Sequence, residues 1–182
     1  SNGWRTRSMR ERSDPANATV NAPPPAVVWR EGSLELLDQR RLPHDVTYLA
    51  IETLEQAFDA IRTLPVRGAP AIGIAAAYAL VVAMNRPPLT GEPADSSPEG
   101  FRARLEALAQ RLNGARPTAV NLAWATGRVC RRAAREPTLE GIRAEAEAIH
   151  TEDRAICRAI GEHGRALMRP GMTVLTHCNA GA

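Results

Sequence analysis

Lysine is absent from this chain, and every one of its 23 basic residues is arginine. Against 20 acids that leaves a net charge of +3. The excess is too small to argue for nucleic acid, and aromatics, at 4%, are too sparse to interleave with a basic stripe. A mixed-charge solvated surface accounts for the charge. Long hydrophobic runs are also missing. The longest candidate, Ala69–Met84, falls short of the roughly 18 apolar residues of a membrane span and is rich in alanine and glycine, so a buried helix is expected there. Cysteine is scarce. Cys130, Cys157 and Cys178 are an odd number with no close spacing. That argues against a disulfide framework and fits a reducing cytoplasm. No C-x-x-C pair or histidine cluster suggests a metal.

What is present reads as an ordered chain behind a polar leader. Residues 1–25 lack periodicity, end in three prolines and have no signal-peptide core, so a disordered extension is expected. Residues 27–29 and 33–37 flank Arg30-Glu31-Gly32, a turn signal, and predict a hairpin. Residues 46–51 predict another short strand. Thr53 and Gln56 have capping-box spacing, and Leu54, Ala57, Phe58 and Ile61 then repeat on one helical face, which should end before Pro65. Residues 66–70 read as a loop, and residues 71–84 as a helix apolar on nearly every side. Ser97-Pro98 is an N-cap with proline in the first helical position, opening a helix to about Asn113. Further helices are expected over 118–135 and from Thr138 to about Met168. The last carries the stripe Leu139, Ile142, Ala146, Ile149, Ile156, Ile160 and Leu167. That stripe passes through Glu152 or Asp153, so one acid should sit near the buried face, either paired with an arginine or facing a substrate. Pro170-Gly171 breaks the helix, and a short strand is expected over 172–177.

The expected architecture is a mainly α N-terminal domain with a small β element, leading into the first strand of a truncated Rossmann-like α/β domain. Its boundaries are 1–25 for the extension, 26–136 for the helical domain, 137–170 for a long connecting helix and 171–182 for the first strand and loop. A lone parallel strand cannot bury itself, so a fragment is expected.

Three motifs could carry chemistry. In Val66-Arg67-Gly68-Ala69-Pro70-Ala71-Ile72-Gly73, small residues allow close approach of a ligand to the backbone. A helix N-terminus follows, and Arg67 offers a bidentate anion donor. Phosphate binding and a tightly packed loop with a surface arginine both fit. In Arg116-Pro117-Thr118-Ala119-Val120-Asn121-Leu122, an arginine again precedes a helix start, with Thr118 the expected cap. In Thr176-His177-Cys178-Asn179-Ala180-Gly181, Cys178 follows the predicted strand, where ligands sit in open α/β sheets. It could be a reactive thiolate or a buried inert thiol. Cys130 and Cys157 lie in predicted helices and read as packing residues.

Together with Trp29-Arg30-Glu31-Gly32-Ser33 and Leu37-Asp38-Gln39-Arg40-Arg41-Leu42-Pro43, these motifs resemble the methylthioribose-1-phosphate isomerase family from about Val27 to Ala182. The wider family includes ribose-1,5-bisphosphate isomerases and the regulatory subunits of translation initiation factor 2B, and both remain alternatives. The resemblance implies isomerisation of 5-methylthioribose 1-phosphate to 5-methylthioribulose 1-phosphate in methionine salvage. It implies no metal or nicotinamide cofactor, a sugar-phosphate substrate, and a homodimer when full length, while the weak net charge and the lack of a long apolar run argue against a nucleic-acid or membrane partner. By position, Arg67, Gly68, Ala69 and Arg116 would bind substrate and Cys178 would be catalytic. The family's proton-donating aspartate would come from the C-terminal domain.

Overall fold

The computed structural model describes residues 5–8, 23–88, 95, 97–175 and 177. Among them the chain is mostly helical with a small antiparallel sheet, as the periodicities predict. β2 (Val27–Arg30) and β3 (Ser33–Leu37) form the expected hairpin. Its two turn residues, Glu31 and Gly32, have φ of 51° and 80°, the left-handed pair that a right-twisted two-residue hairpin requires. β4 (Thr47–Ile51) pairs with β3, placing Leu34 opposite Ile51 and Leu36 opposite Leu49. All four are buried on one face.

One strand was not expected. β1 (Thr6–Ser8) lies within the stretch predicted to be a disordered extension, and it pairs antiparallel with β4 to give the order β1-β4-β3-β2. Residues 6–8 show no apolar alternation, because a ladder on a free sheet edge needs only backbone N–H and C=O groups. Residues 1–4 and 9–22 of the predicted extension lie outside the described residues.

α1 (Leu54–Arg62) opens with the complete capping box: Gln56 N donates to Thr53 Oγ1 at 3.2 Å, and Thr53 N donates to Gln56 Oε1 at 3.1 Å. α2 (Ala69–Met84) is the centre of the fold. Every residue from Ile72 to Met84 is buried, since α1, α3, α4, α5 and the sheet all pack on it. It begins two residues before the predicted start, because Pro70 sits inside the first turn, where its missing N–H costs nothing.

α3 (Pro98–Asn113) starts at the predicted Ser97 cap. From it, buried Arg104 reaches back to the far end of α2 and donates to the Ala83 carbonyl at 3.1 Å, a cation at a helix C-terminus. α4 (Val120–Arg135) and α5 (Leu139–Arg165) complete the bundle. Arg128 of α4 clasps α5 through Glu145 and Glu152, the latter with both carboxylate oxygens.

The α5 stripe is buried only in its first half. Ile142, Ala146 and Ile149 are core, whereas Ile156 and Ile160 are 58% and 67% exposed. Together with Val120 and Trp124 at the start of α4, Ile156 forms an apolar wall that no described residue covers. The strand predicted over 172–177 is not formed at 172–175, which are exposed and irregular. Extended backbone needs a neighbouring ladder, and none lies beside it among the described residues.

Candidate functional site

The site is built from the β3–β4 connection and the approach to α2. β3 ends at Leu37, and Asp38 then turns the chain. Its N–H donates to the Thr47 carbonyl at 2.9 Å. Its carboxylate receives both Nε and Nη2 of Arg40 at 2.8 Å, a bidentate fork that holds the Asp38 carboxyl below its ordinary value. Gln39 is thereby turned inward and buried at 4% exposure. Its N–H donates to the Pro65 carbonyl at 2.9 Å, and its side-chain Nε2 donates to the Arg67 carbonyl at 3.1 Å. In return, Arg67 Nη2 donates to the Gln39 carbonyl at 2.8 Å. The Leu-Asp-Gln-Arg-Arg-Leu-Pro run thus has a physical role, as the platform that fixes Arg67.

Gly68 caps α2 with φ of 94°, a conformation only glycine adopts without strain, and makes no side-chain cap hydrogen bond. The first helical bond runs from Ile72 N to the Gly68 carbonyl. The N–H groups of Ala69 and Ala71 therefore have no helical partner. α4 starts in the same way. Thr118, the expected cap, lies in the preceding turn, and Ala119 occupies the cap position with its N–H donating to the Arg116 carbonyl at 2.9 Å. Alanine has no side-chain oxygen, so this N-terminus too lacks a side-chain cap.

The two helix starts are brought together by Gly73. A Cβ at Gly73 would lie 2.8 Å from the Asn121 carbonyl oxygen and 3.4 Å from the Ala125 Cβ. The first turns of α2 and α4 therefore touch backbone to backbone, which brings two positive dipole ends close together.

Arg67 and Gly68 open onto a cavity of about 640 Å³ between β2, the start of α2 and α5. From α5 it is lined by His150, Asp153, Arg154 and Cys157, which share one helical face at i, i+3, i+4 and i+7. Trp29, which also lines the cavity, stacks on Tyr78 at 4.6 Å and donates to Glu147 at 3.2 Å. The Tyr78 hydroxyl lies 3.2 Å from His150 Nδ1. Burial pushes the Tyr78 phenol up to about 12, so the hydroxyl keeps its proton. Burial also holds the imidazole below its ordinary value, helped by nearby Arg154. A smaller cavity of about 290 Å³ adjoins the first, sharing Pro70, Ile74 and Asp153 with it. Its other walls are Val120, Trp124, Ile149 and Ile156, with Glu152 beside them. Two of its lining residues are acids and none is basic.

The structure therefore brings Arg67 and Gly68 together in one cavity. Ala69 is exposed beside them at the first position of α2 and does not line the cavity. Arg116 is half-buried ahead of α4 and lines neither cavity. Cys178 lies outside the described residues. Of the other thiols, Cys130 is half-buried and burial pushes it up. Cys157 is exposed and lines the cavity, so it is not the packing residue expected from its place in a helix. Of the two acids on the α5 stripe, Glu152 takes the arginine pair and Asp153 faces both cavities. The α5 face was missed in sequence, although the polar spacing from His150 to Cys157 carried the signal. Among the described residues no cluster of His, Cys, Asp and Glu could hold a metal ion.

Comparison with known proteins places this geometry in context. The model of the initiation factor 2 subunit family matches residues 65–182. A methylthioribose-1-phosphate isomerase from Gemmatimonas aurantiaca is 51% identical over 87% of this chain and 46% of its own length. A 5-deoxyribose 1-phosphate isomerase from Moorella thermoacetica is 45% identical over 85% of this chain and 44% of its own. The crystal structure of the translation initiation factor eIF-2B delta subunit from A. fulgidus superposes with a TM-score of 0.71. It is 34% identical and covers 85% of this chain and 45% of that one. The chain thus spans just under half the length of the relatives it matches.

Proposed function

The chain belongs to the initiation factor 2 subunit family, and from that premise we propose that it supplies the phosphate-binding half of an aldose–ketose isomerase acting on 5-methylthioribose 1-phosphate. One observation carries the reading: Arg67, fixed by Gln39, and the uncapped N-terminus of α2 open onto one cavity. A guanidinium beside free N–H groups at a positive dipole end is a phosphate site by its chemistry. The start of α4, which meets α2 at Gly73, adds a second dipole end beside the first, and Arg116 ahead of it is the second cation of this reading.

The reaction is redox-neutral within one molecule. The ring oxygen gains a proton as its bond to C1 breaks, C1 gains the hydrogen that C2 loses, and the C2 hydroxyl gives up its proton to become the carbonyl. Arg67 and the α2 N–H groups hold the C1 phosphate and so keep C1 and C2 in place. Cys178 acts at the hydrogen transfer, as base or as stabiliser of developing charge, and exclusion of water in the whole protein would strengthen either effect. Because the smaller cavity has two acids and no base among its walls, an uncharged apolar C5 substituent suits it better than a second phosphate. That supports the methylthioribose substrate over ribose 1,5-bisphosphate. The same reading makes the whole protein a cytoplasmic homodimer in methionine salvage, an expectation that rests on the family resemblance.

In the whole protein, Arg67→Ala should raise the KM for 5-methylthioribose 1-phosphate by about 30- to 1000-fold, the scale of a lost charge-assisted pair. Cys178→Ser should lower kcat by at least about 100-fold with little change in KM. An unchanged KM in the first variant removes Arg67 from the site. A second reading draws on the likeness to the initiation factor subunit: a regulatory module that binds a sugar phosphate without turning it over. Phosphate-ester binding with no turnover in the whole protein would select it.

A further inference from the structure

We propose that Gln39 is a positioning residue for Arg67, setting the direction in which the guanidinium meets phosphate. The proposal rests on the phosphate reading above and adds to it the device that orders the ligand. An arginine side chain loses much rotamer freedom when it is fixed, and an exposed one pays that cost on binding. Arg67 is exposed, yet it is bracketed at both ends by one residue. Its carbonyl accepts from Gln39 Nε2 at 3.1 Å, which fixes the backbone, and its Nη2 donates to the Gln39 carbonyl at 2.8 Å, which fixes the tip. A guanidinium carries five N–H groups, so one bond to Gln39 leaves others for an anion.

The bracket is itself held. Gln39 N–H is tied to the Pro65 carbonyl, and the Asp38–Arg40 fork closes the turn on either side of it. Glutamine suits the position because its amide donates while remaining uncharged in a buried place beside a cation-binding carbonyl. Glutamate at 39 would keep the length but lose the donor. Methionine would keep the shape and apolar stem and lose both polar ends. The expected consequence is an Arg67 tip that samples more orientations, with the cost appearing in ligand binding rather than in the chemical step.

The experiment is a double-mutant cycle on the 182-residue chain, titrated with inorganic phosphate and followed by NMR at the Arg Nε–Hε and backbone amide signals. Gln39→Glu and Gln39→Met each remove the side-chain bond to the Arg67 carbonyl and leave the main-chain carbonyl that holds the tip, so each should weaken phosphate binding by about 2- to 10-fold, the worth of one ordered hydrogen bond. In the Arg67→Ala background the same changes should add no further loss, because the group they position is gone. Two variants of different character guard against one that fails to fold. An equal loss in both backgrounds overturns the proposal, since the effect then passes through the fold. Unchanged affinity in both Gln39 variants, with Arg67→Ala weakened, overturns it while leaving the phosphate reading standing. Unchanged affinity in Arg67→Ala overturns the phosphate reading itself.

Discussion

Gly73→Ala is the perturbation that tests the meeting of α2 and α4 most directly. Glycine to alanine inside an exposed helix stabilises by about 1 kcal/mol, because alanine loses less backbone entropy. At Gly73 the new Cβ would stand 2.8 Å from the Asn121 carbonyl oxygen, where a relaxed carbon–oxygen contact is about 3.3 Å or more. About half an ångström must therefore be found. The carbonyl belongs to helix backbone, and α4 is clasped to α5 by Arg128 with Glu145 and Glu152, so the relief is not cheap. Overpacking of this kind costs about 1–3 kcal/mol, and the upper half of that range applies here. After the helix-propensity gain, the net loss should be about 1–2 kcal/mol, or about 2–8 °C in Tm for a chain of this size. Gly161→Ala is the matched control, since a Cβ at Gly161 of α5 meets nothing within 4 Å. It should stabilise by about 0.5–1 kcal/mol. Urea denaturation of both variants against the parent reads the difference. Phosphate affinity should fall only in Gly73→Ala, as the start of α4 is pushed away. If the two substitutions stabilise equally, the helices do not touch at Gly73 and the converging N-termini are wrong.

Acidification should weaken the fold in a window set by His150. Its imidazole is held below 6.5 by burial, so as pH falls through 6.5 the unfolded chain takes up a proton that the native state refuses. Stability is full above that value and declines beneath it; His150→Gln should flatten the decline in pH-dependent urea midpoints, and an unchanged slope would clear His150. The slope that remains below 3.8 belongs partly to Asp38, whose carboxyl is held low by Arg40. In a Cys178→Ser background, maleimide at neutral pH should modify exposed Cys157 at least about tenfold faster than Cys130, whose thiol burial protects and pushes up. Equal rates by peptide mapping would contradict the exposure of the α5 cavity face.

Local chemistry was legible where a side chain does the work within a few residues. The Thr53–Gln56 box, the Ser97-Pro98 start and the Glu31-Gly32 turn each satisfy their own backbone, so composition reveals them. What escaped depends on a neighbour. β1 is a strand only because β4 offers a free edge to residues 6–8. Thr118 has the right oxygen for a cap but the turn places Ala119 there instead. The α5 stripe continues in sequence through Ile156 and Ile160, yet α2 and α4 cover only its first half. Cys157 followed the same error, because a helix position says nothing of which face is covered.

The candidate site divides along the same line. Arg67 and Gly68 were visible as a cation and a small residue ahead of a helix. Their partner Gln39 was visible only as part of a familiar run, and its function emerges from the two hydrogen bonds that cross 28 residues. The economy of the arrangement explains why that run accompanies the loop. A phosphate site made from a helix N-terminus needs glycine at the cap, and glycine brings freedom that would let the adjoining arginine wander. Tying the arginine's backbone and tip to one buried glutamine removes that freedom without covering the guanidinium. The uncapped start of α4 completes the logic. A side-chain cap there would satisfy the N–H groups that, left open beside those of α2, can meet an anion instead. Leaving out that cap costs the helix about 1 kcal/mol, a loss that the phosphate reading offsets when an anion meets the open N–H groups.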